Sequence, residues 1–159
     1  MNYQKAMKLA IQEALTAKSK GEDPFGAVLV DQKNEICYST HSRCIELCDP
    51  TAHAEILLIR EYCKKTSNIY LKDHTIVCSA EPCVMCSGAI KWAKIAQIVF
   101  STPQYFLQTI SGGKPKPSCE SIVNTGNCKM KVIPEYMFEE GKEVFRDYSF
   151  KPKDRKSGI

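Results

Sequence analysis

The sequence predicts a three-layer α/β domain in which helices cover both faces of one mixed, five-stranded sheet. Three observations lead there: an opening amphipathic helix, two short apolar runs joined by a turn, and then a regular alternation of apolar strands with helical patterns. The hairpin makes part of the sheet antiparallel, and the strand–helix–strand alternation makes the rest parallel. With 159 residues, 43% hydrophobic and 25% charged, the chain has the size and composition of one globular domain. Collagenous, coiled-coil and disordered classes are excluded.

Each element has its own signal. Met7, Ala10, Ile11, Ala14 and Leu15 recur at helical spacing, so a helix should run to about Lys20-Gly21. Asp23-Pro24 then turns the chain. Residues 26–30 (Gly-Ala-Val-Leu-Val) read as a buried strand, 31–34 as a hairpin turn and 35–39 as the returning strand. Residues 40–49 have no period and read as a loop. Asp49-Pro50-Thr51 has the composition of a helix start ahead of Ile56, Ile59 and Cys63. A third strand over 75–79 leads through Glu81-Pro82 into a helix over 84–92, with further strands over 97–101 and 129–133. Residues 103–127, rich in Gly, Pro and Ser, are too long for a simple connection and should carry a short helix. Pro134-Glu135 opens a last helix with Met137, Phe138, Val144, Phe145 and Tyr148 on its apolar side. Residues 1–150 form the domain, and 151–159 a basic tail.

That tail matters for the charge. The net charge is +4, and Lys151, Lys153, Arg155 and Lys156 against Asp154 account for most of it, which leaves the body nearly neutral. A small ligand is therefore expected ahead of a polyanion. No apolar run approaches the roughly 18 residues of a membrane span, and the first fifteen residues lack a secretory apolar core. Nine cysteines is an odd number and no secretory signal accompanies them, so a reduced, cytoplasmic chain is expected, with cysteines as ligands, nucleophiles or small core residues. Cys37, Cys63 and Cys78 fall on apolar-facing positions. Cys44, Cys48, Cys119 and Cys128 lie in predicted loops and receive no role.

Two motifs carry chemistry, His53-Ala54-Glu55 and Pro82-Cys83-Val84-Met85-Cys86, each at a predicted helix start. Two cysteines three positions apart can turn both sulfurs to one ion, and a helix N-terminus favours the thiolate form. With His53 they make three ligands, and catalytic zinc sites keep the fourth position for water. Glu55 then stands near the metal without having to bind it, placed to take a proton from water that the metal acidifies. Such a set can hydrolyse an amidine-like C–NH2 carbon. Three other readings use the same residues: a thioredoxin-like redox pair at Cys83 and Cys86, a closed structural zinc site recruiting Cys78 or Cys48, and a non-catalytic zinc-binding module. None of them needs a proton shuttle at Glu55. His74 reads as a surface residue, His41 as a loop or pocket residue, and Trp92 and Met85 as helix packing. Phe138, Phe145, Tyr148 and Phe150 read as core or dimer packing.

These motifs resemble the H-x-E and P-C-x-x-C signature of the zinc-dependent cytidine deaminase-like superfamily. Three longer runs, Asp49-Pro50-Thr51-Ala52-His53-Ala54-Glu55-Ile56, Glu81-Pro82-Cys83-Val84-Met85-Cys86-Ser87-Gly88-Ala89-Ile90 and Pro24-Phe25-Gly26-Ala27-Val28, are similar to its guanine deaminase and tRNA adenosine deaminase branch. The resemblance implies one Zn2+ per chain on His53, Cys83 and Cys86, with Glu55 as the catalytic proton shuttle. It also implies that the backbone N–H of Ala54 holds the base edge, that Phe25 lines the base pocket, that the last helix can help cover that pocket, and that the chain is a homodimer. Many relatives carry an Asn about eleven residues ahead of the zinc His. Ser42 stands there in this sequence, so it is the third candidate for substrate binding, and the lost amide bears on the substrate and not on the metal. Residues 111–127 match neither enzyme of the branch. The implied activity is hydrolytic deamination of a nucleobase or nucleoside with release of ammonia, a guanine-type purine being preferred. Deamination of adenosine at the wobble position of tRNA is the alternative.

Overall fold

The computed structural model describes residues 2–150, so the basic tail lies outside the described residues. In chain order the elements are α1 Gln4–Ser19, β1 Gly26–Val30, β2 Ile36–His41, α2 Ala54–Thr66, β3 Thr75–Ala80, α3 Val84–Trp92, β4 Gln97–Thr102, α4 Gln104–Ser111, α5 Cys119–Val123, β5 Lys131–Ile133 and α6 Phe138–Glu143. Among the described residues the strands form one five-stranded sheet in the order β2-β1-β3-β4-β5. β1 is antiparallel to both β2 and β3, whereas β3, β4 and β5 run parallel. This is the mixed sheet expected from the sequence.

Side chains alternate across a strand, so a run buried on both faces must be covered twice. In β1, Ala27 and Leu29 join Ala54 and Leu58 of α2 and Ile90 of α3 in one core. Val28 and Val30 join Tyr3, Ala6, Met7 and Ala10 at the start of the chain in the other. The same division separates Ile76 and Cys78 from Val77 in β3, and Ile98 and Phe100 from Val99 in β4.

The buried stripe of α1 is Ala6, Met7, Ala10, Ala14 and Ala17, rotated from the one expected: Leu15 is exposed and Ile11 half-buried. Small side chains win the buried face because the helix lies almost on the strand. A methyl group on Gly26 would collide with the Ala10 carbonyl, so glycine is required there. Gly21, at φ +79°, ends the helix region where expected.

Other boundaries moved for local reasons. β2 runs on to His41 because Gly26 and Ala27 pair with His41 and Thr40. α2 starts at Ala54, later than Asp49-Pro50-Thr51, because the Asp49 carboxylate accepts both the backbone N–H and the hydroxyl of Thr51 (2.8 and 2.7 Å). That side-chain turn competes with helix at those residues. The long segment after β4 holds two helices rather than one. The last helix is delayed to Phe138 because Glu135 and Met137 take left-handed backbone angles. No disulfide joins any of the nine cysteines, and no helix among the described residues is long and apolar enough to cross a membrane.

Because β1 runs against β3, its beginning lies beside the end of β3, with Ala27 opposite Cys78. Phe25, the Glu81–Cys83 segment and the start of α4 therefore share one end of the sheet. This is the end at which open α/β sheets place ligand sites.

Candidate active site

His53 and Cys83 occupy equivalent positions in two helices. Each is the residue just before the helix, in extended conformation (φ −67°, ψ 154° and φ −69°, ψ 175°), and neither caps the helix with its side chain. Ser, Thr, Asp or Asn would usually hold such a position and bond the first N–H groups. Here the side chains turn toward each other. His53 Nδ1 lies 3.6 Å from Cys83 Sγ and 3.5 Å from Cys86 Sγ, the latter fully buried in the first turn of α3.

The two thiols are not equivalent. Hydrogen bonding from Cys86, reinforced by His53, lowers the Cys83 thiol to about 4. The same contact, together with burial, pushes the Cys86 thiol up. The one nitrogen and two sulfurs lie within 4.8 Å of one another and could hold a metal ion. A borderline-soft cation such as zinc suits this donor set and displaces thiol protons on binding. Three protein donors leave a coordination position open.

Glu55 is 7% exposed. Burial, with the nearby Cys83 thiolate adding to it, raises its carboxyl above the usual range. It shares with His53 and Cys83 a cavity of about 250 Å3, whose other walls come from Phe25, Glu81, Leu107, Gln108, Lys116 and Phe150 among others. A wider, open hollow of about 540 Å3 around Asn124 to Lys131 contains none of these donors, so the smaller cavity is the site.

Of the three candidate substrate residues, Phe25 alone lines the cavity. Ser42 is buried behind it, with its N–H donating to the Phe25 carbonyl at 3.0 Å. Ala54 opens α2 with its methyl group in the core. His41 is bound by Glu13 (2.7 Å) and Lys20 (3.3 Å), away from the cavity lining. His74, expected at the surface, is half-buried and packs edge-on to Tyr62. Trp92 and Met85, expected to pack, are 83% and 36% exposed.

Phe150 joins the site through tertiary structure. Tyr148 OH donates to Asp23 Oδ1 at 2.6 Å, fastening the end of the described chain beside the turn that precedes Phe25. Phe150 then stacks on Phe25 at 6.2 Å between centroids. Gln104, Leu107, Gln108, Ser111 and Lys116 likewise form a wall that no motif marked.

Residues 1–102 match the family described as the cytidine and deoxycytidylate deaminase zinc-binding region. The chain belongs to this family. It is a zinc-binding hydrolytic deaminase with a cytidine deaminase-like α/β fold, and the segment matched contains the His/Cys/Cys cluster and Glu55. A tRNA-specific adenosine deaminase of Aquifex aeolicus (strain VF5) is 41% identical over 143 residues, covering 89% of this chain and 90% of that protein. A solved structure from studies of A-to-I editing by tRNA:A34 deaminases at the wobble position superposes with a TM-score of 0.75 at 28% identity, covering 88% and 98% of the two chains. The guanine deaminase of Bacillus subtilis superposes with a TM-score of 0.66 at 27% identity, covering 96% and 99%.

Proposed function

We propose that this deaminase acts on adenosine at the wobble position of tRNA, converting it to inosine and ammonia. The observation that carries the reading is the 41% identity with a tRNA-specific adenosine deaminase along almost all of both chains. The expected order, a guanine-type base ahead of tRNA, is thereby reversed. Net charge averages over the whole surface, whereas an RNA that delivers one base needs contacts only around the mouth, where Lys116 stands.

The size of the cavity agrees. About 250 Å3 is small for a ligand pocket and holds one base, so an anticodon loop has to splay its base out to reach Glu55. In this reading His53, Cys83 and Cys86 hold the zinc, which supplies a Lewis acid that acidifies water. Glu55 takes one proton from water and passes it to N1 of adenine as the water oxygen bonds to C6; it then takes the second proton from the new C6 hydroxyl and delivers it to the amino group, which leaves as ammonia when the C6–N bond breaks. The water oxygen remains on C6 as the carbonyl. Phe25 and Phe150 supply the aromatic side of the cavity against the base, and the backbone N–H of Ser42 holds the Phe25 carbonyl. The backbone N–H of Ala54 is among the first of α2, which find no acceptor within the helix, and serves the base edge.

Guanine deamination remains the second reading, supported by the superposition with the Bacillus subtilis enzyme. An ammonia-release assay of zinc-loaded protein on an anticodon stem-loop, free adenosine, adenine and guanine separates them. The stem-loop should be preferred in kcat/KM by roughly a hundredfold or more; turnover of guanine alone would sink the tRNA reading. As part of the same proposal two copies pair through the exposed apolar residues of the α2–α3 side, Ile69, Val84, Met85 and Trp92. Sedimentation of a Trp92→Asp variant should show a shift toward monomer, and an unchanged mass for both proteins would remove this interface.

A further inference from the structure

Glu81 is a nearly buried acid, 9% exposed, that the motif chemistry leaves without a task. It lies one residue beyond β3 and two before Cys83, and its own N–H extends the β3–β4 pairing by donating to Thr102 O at 2.8 Å. Its carboxylate reaches the other way. Oε2 accepts the backbone N–H of Gln104, the first residue of α4, and Oε1 accepts that of Cys119, the first residue of α5, both at 2.8 Å. Gln104 Nε2 also donates to the Glu81 carbonyl at 3.3 Å. One carboxylate thus satisfies two helix-start N–H groups that have no partner within their own helices. Between these two anchor points runs the wall of the cavity: Leu107, Gln108, Ser111 and Lys116.

We propose that Glu81 is a positioning residue which clamps α4 and α5 to the metal-binding end of β3 and so sets the distance between the base-pocket wall and Glu55. The inference rests on the reading of this cavity as the deamination site. The wall segment is packed at its two ends, by Phe106, Leu107 and Ile110 of α4 and by Cys119 and Val123 of α5, and has little to hold it between them. Its middle, residues 112–118, is exposed throughout and contains two prolines and two glycines, and the helices flanking it are short. The carboxylate ties the starts of both helices to one point, which their separate packing does not do, and a side chain in the same tripeptide as Cys83 cannot shift without moving the metal-binding end with it. Specificity for the base then depends on a residue that need not touch the base.

Glu81→Gln keeps the volume but turns an NH2 group against one of the two N–H donors. In the zinc-loaded variant, amide exchange over residues 104–111 and 119–123 should quicken by roughly tenfold or more, with zinc still at one per chain. KM for the anticodon stem-loop should rise roughly tenfold while kcat changes by less than about threefold. A second pair of variants tests the clamp from the other side, should Glu81→Gln fold poorly. Gln104→Pro removes the donated N–H at a first helical position, where proline is tolerated, and Pro103 before it is already extended (ψ 157°). Gln104→Ala removes the side chain and keeps the N–H. The proline variant should reproduce the faster exchange and raised KM, and the alanine variant should show neither to the same extent. The proposal is overturned if both variants at Gln104 behave alike, or if Glu81→Gln lowers thermal stability while exchange in these segments and KM stay at wild-type values. Exchange is read without substrate. Wild-type protein that leaves the stem-loop untouched would therefore end the tRNA reading alone, with KM then measured on whichever base it deaminates.

Discussion

The floor and the wall of the cavity are built on opposite plans. The floor, with His53, Glu55, Cys83 and Cys86, is carried at the starts of α2 and α3, whose bodies bury Leu58 and Ile90 completely in the core. Its geometry follows from residues two or three positions apart on rigid helices. The wall comes from α4 and the segment before α5, where Leu107 is the one buried residue of α4, Phe106 and Ile110 pack beside it only in part, and long-range hydrogen bonds to Glu81 add to that packing. On the proposed function, chemistry sits where the fold is stiff and recognition where it is held by fewer contacts. Substitution in the floor should act on the reaction and the metal, and substitution in the wall on the choice of substrate.

The largest expected effect breaks the floor in two distinct ways. Glu55→Ala should lower kcat by roughly 10²–10⁴-fold or more while zinc content stays at wild-type level. Cys83→Ala should lose the zinc, and with it the stabilisation that binding supplies, about 4 kcal/mol at a thousandfold excess over Kd. Metal analysis and thermal melts with and without chelator check the pair: the chelator should lower the wild-type and Glu55→Ala melting points and leave that of Cys83→Ala unmoved. If Glu55→Ala turns over normally, its part in the site is wrong.

Two leucines sharpen the contrast at the next level down. Leu58→Ala opens a cavity beside the core of the sheet and should cost about 2–5 kcal/mol in denaturant unfolding, with kcat/KM of the folded fraction little changed. Leu107→Ala, on the wall, should cost least, about 2 kcal/mol or below. It should nonetheless raise KM severalfold, because the apolar side of the cavity recedes. Equal KM values for the two variants would show that floor and wall are mechanically one unit.

Much of the floor is legible in the sequence because each part of it is local. Although the approach of the two pairs to 3.5–3.6 Å is made by the tertiary packing of α2 and α3, the spacing of His53 to Glu55 and of Cys83 to Cys86 at a helix start is local. The Gly26–Val30 run declares a strand covered on both faces for the same reason, since side-chain alternation is a property of the strand itself. Ser42 lies outside the cavity lining, with its backbone N–H on the Phe25 carbonyl, a contact between the residue after β2 and the turn before β1 that no spacing announces. The buried side of α1 was misplaced because Gly26 lets the helix approach so closely that alanines displace Leu15.

The sequence by itself therefore determined the α/β class and two local pairs, His53 with Glu55 and Cys83 with Cys86, each set by residues within one turn of a helix start. Only the tertiary structure decided what surrounds the substrate. Phe150 reaches Phe25 across more than a hundred residues through the Tyr148–Asp23 hydrogen bond, and Gln104 and Cys119 meet on Glu81 because the ends of β3 and β4 lie side by side. Such contacts leave no period or spacing in the chain, because their partners are brought together by the sheet and not by their neighbours in sequence.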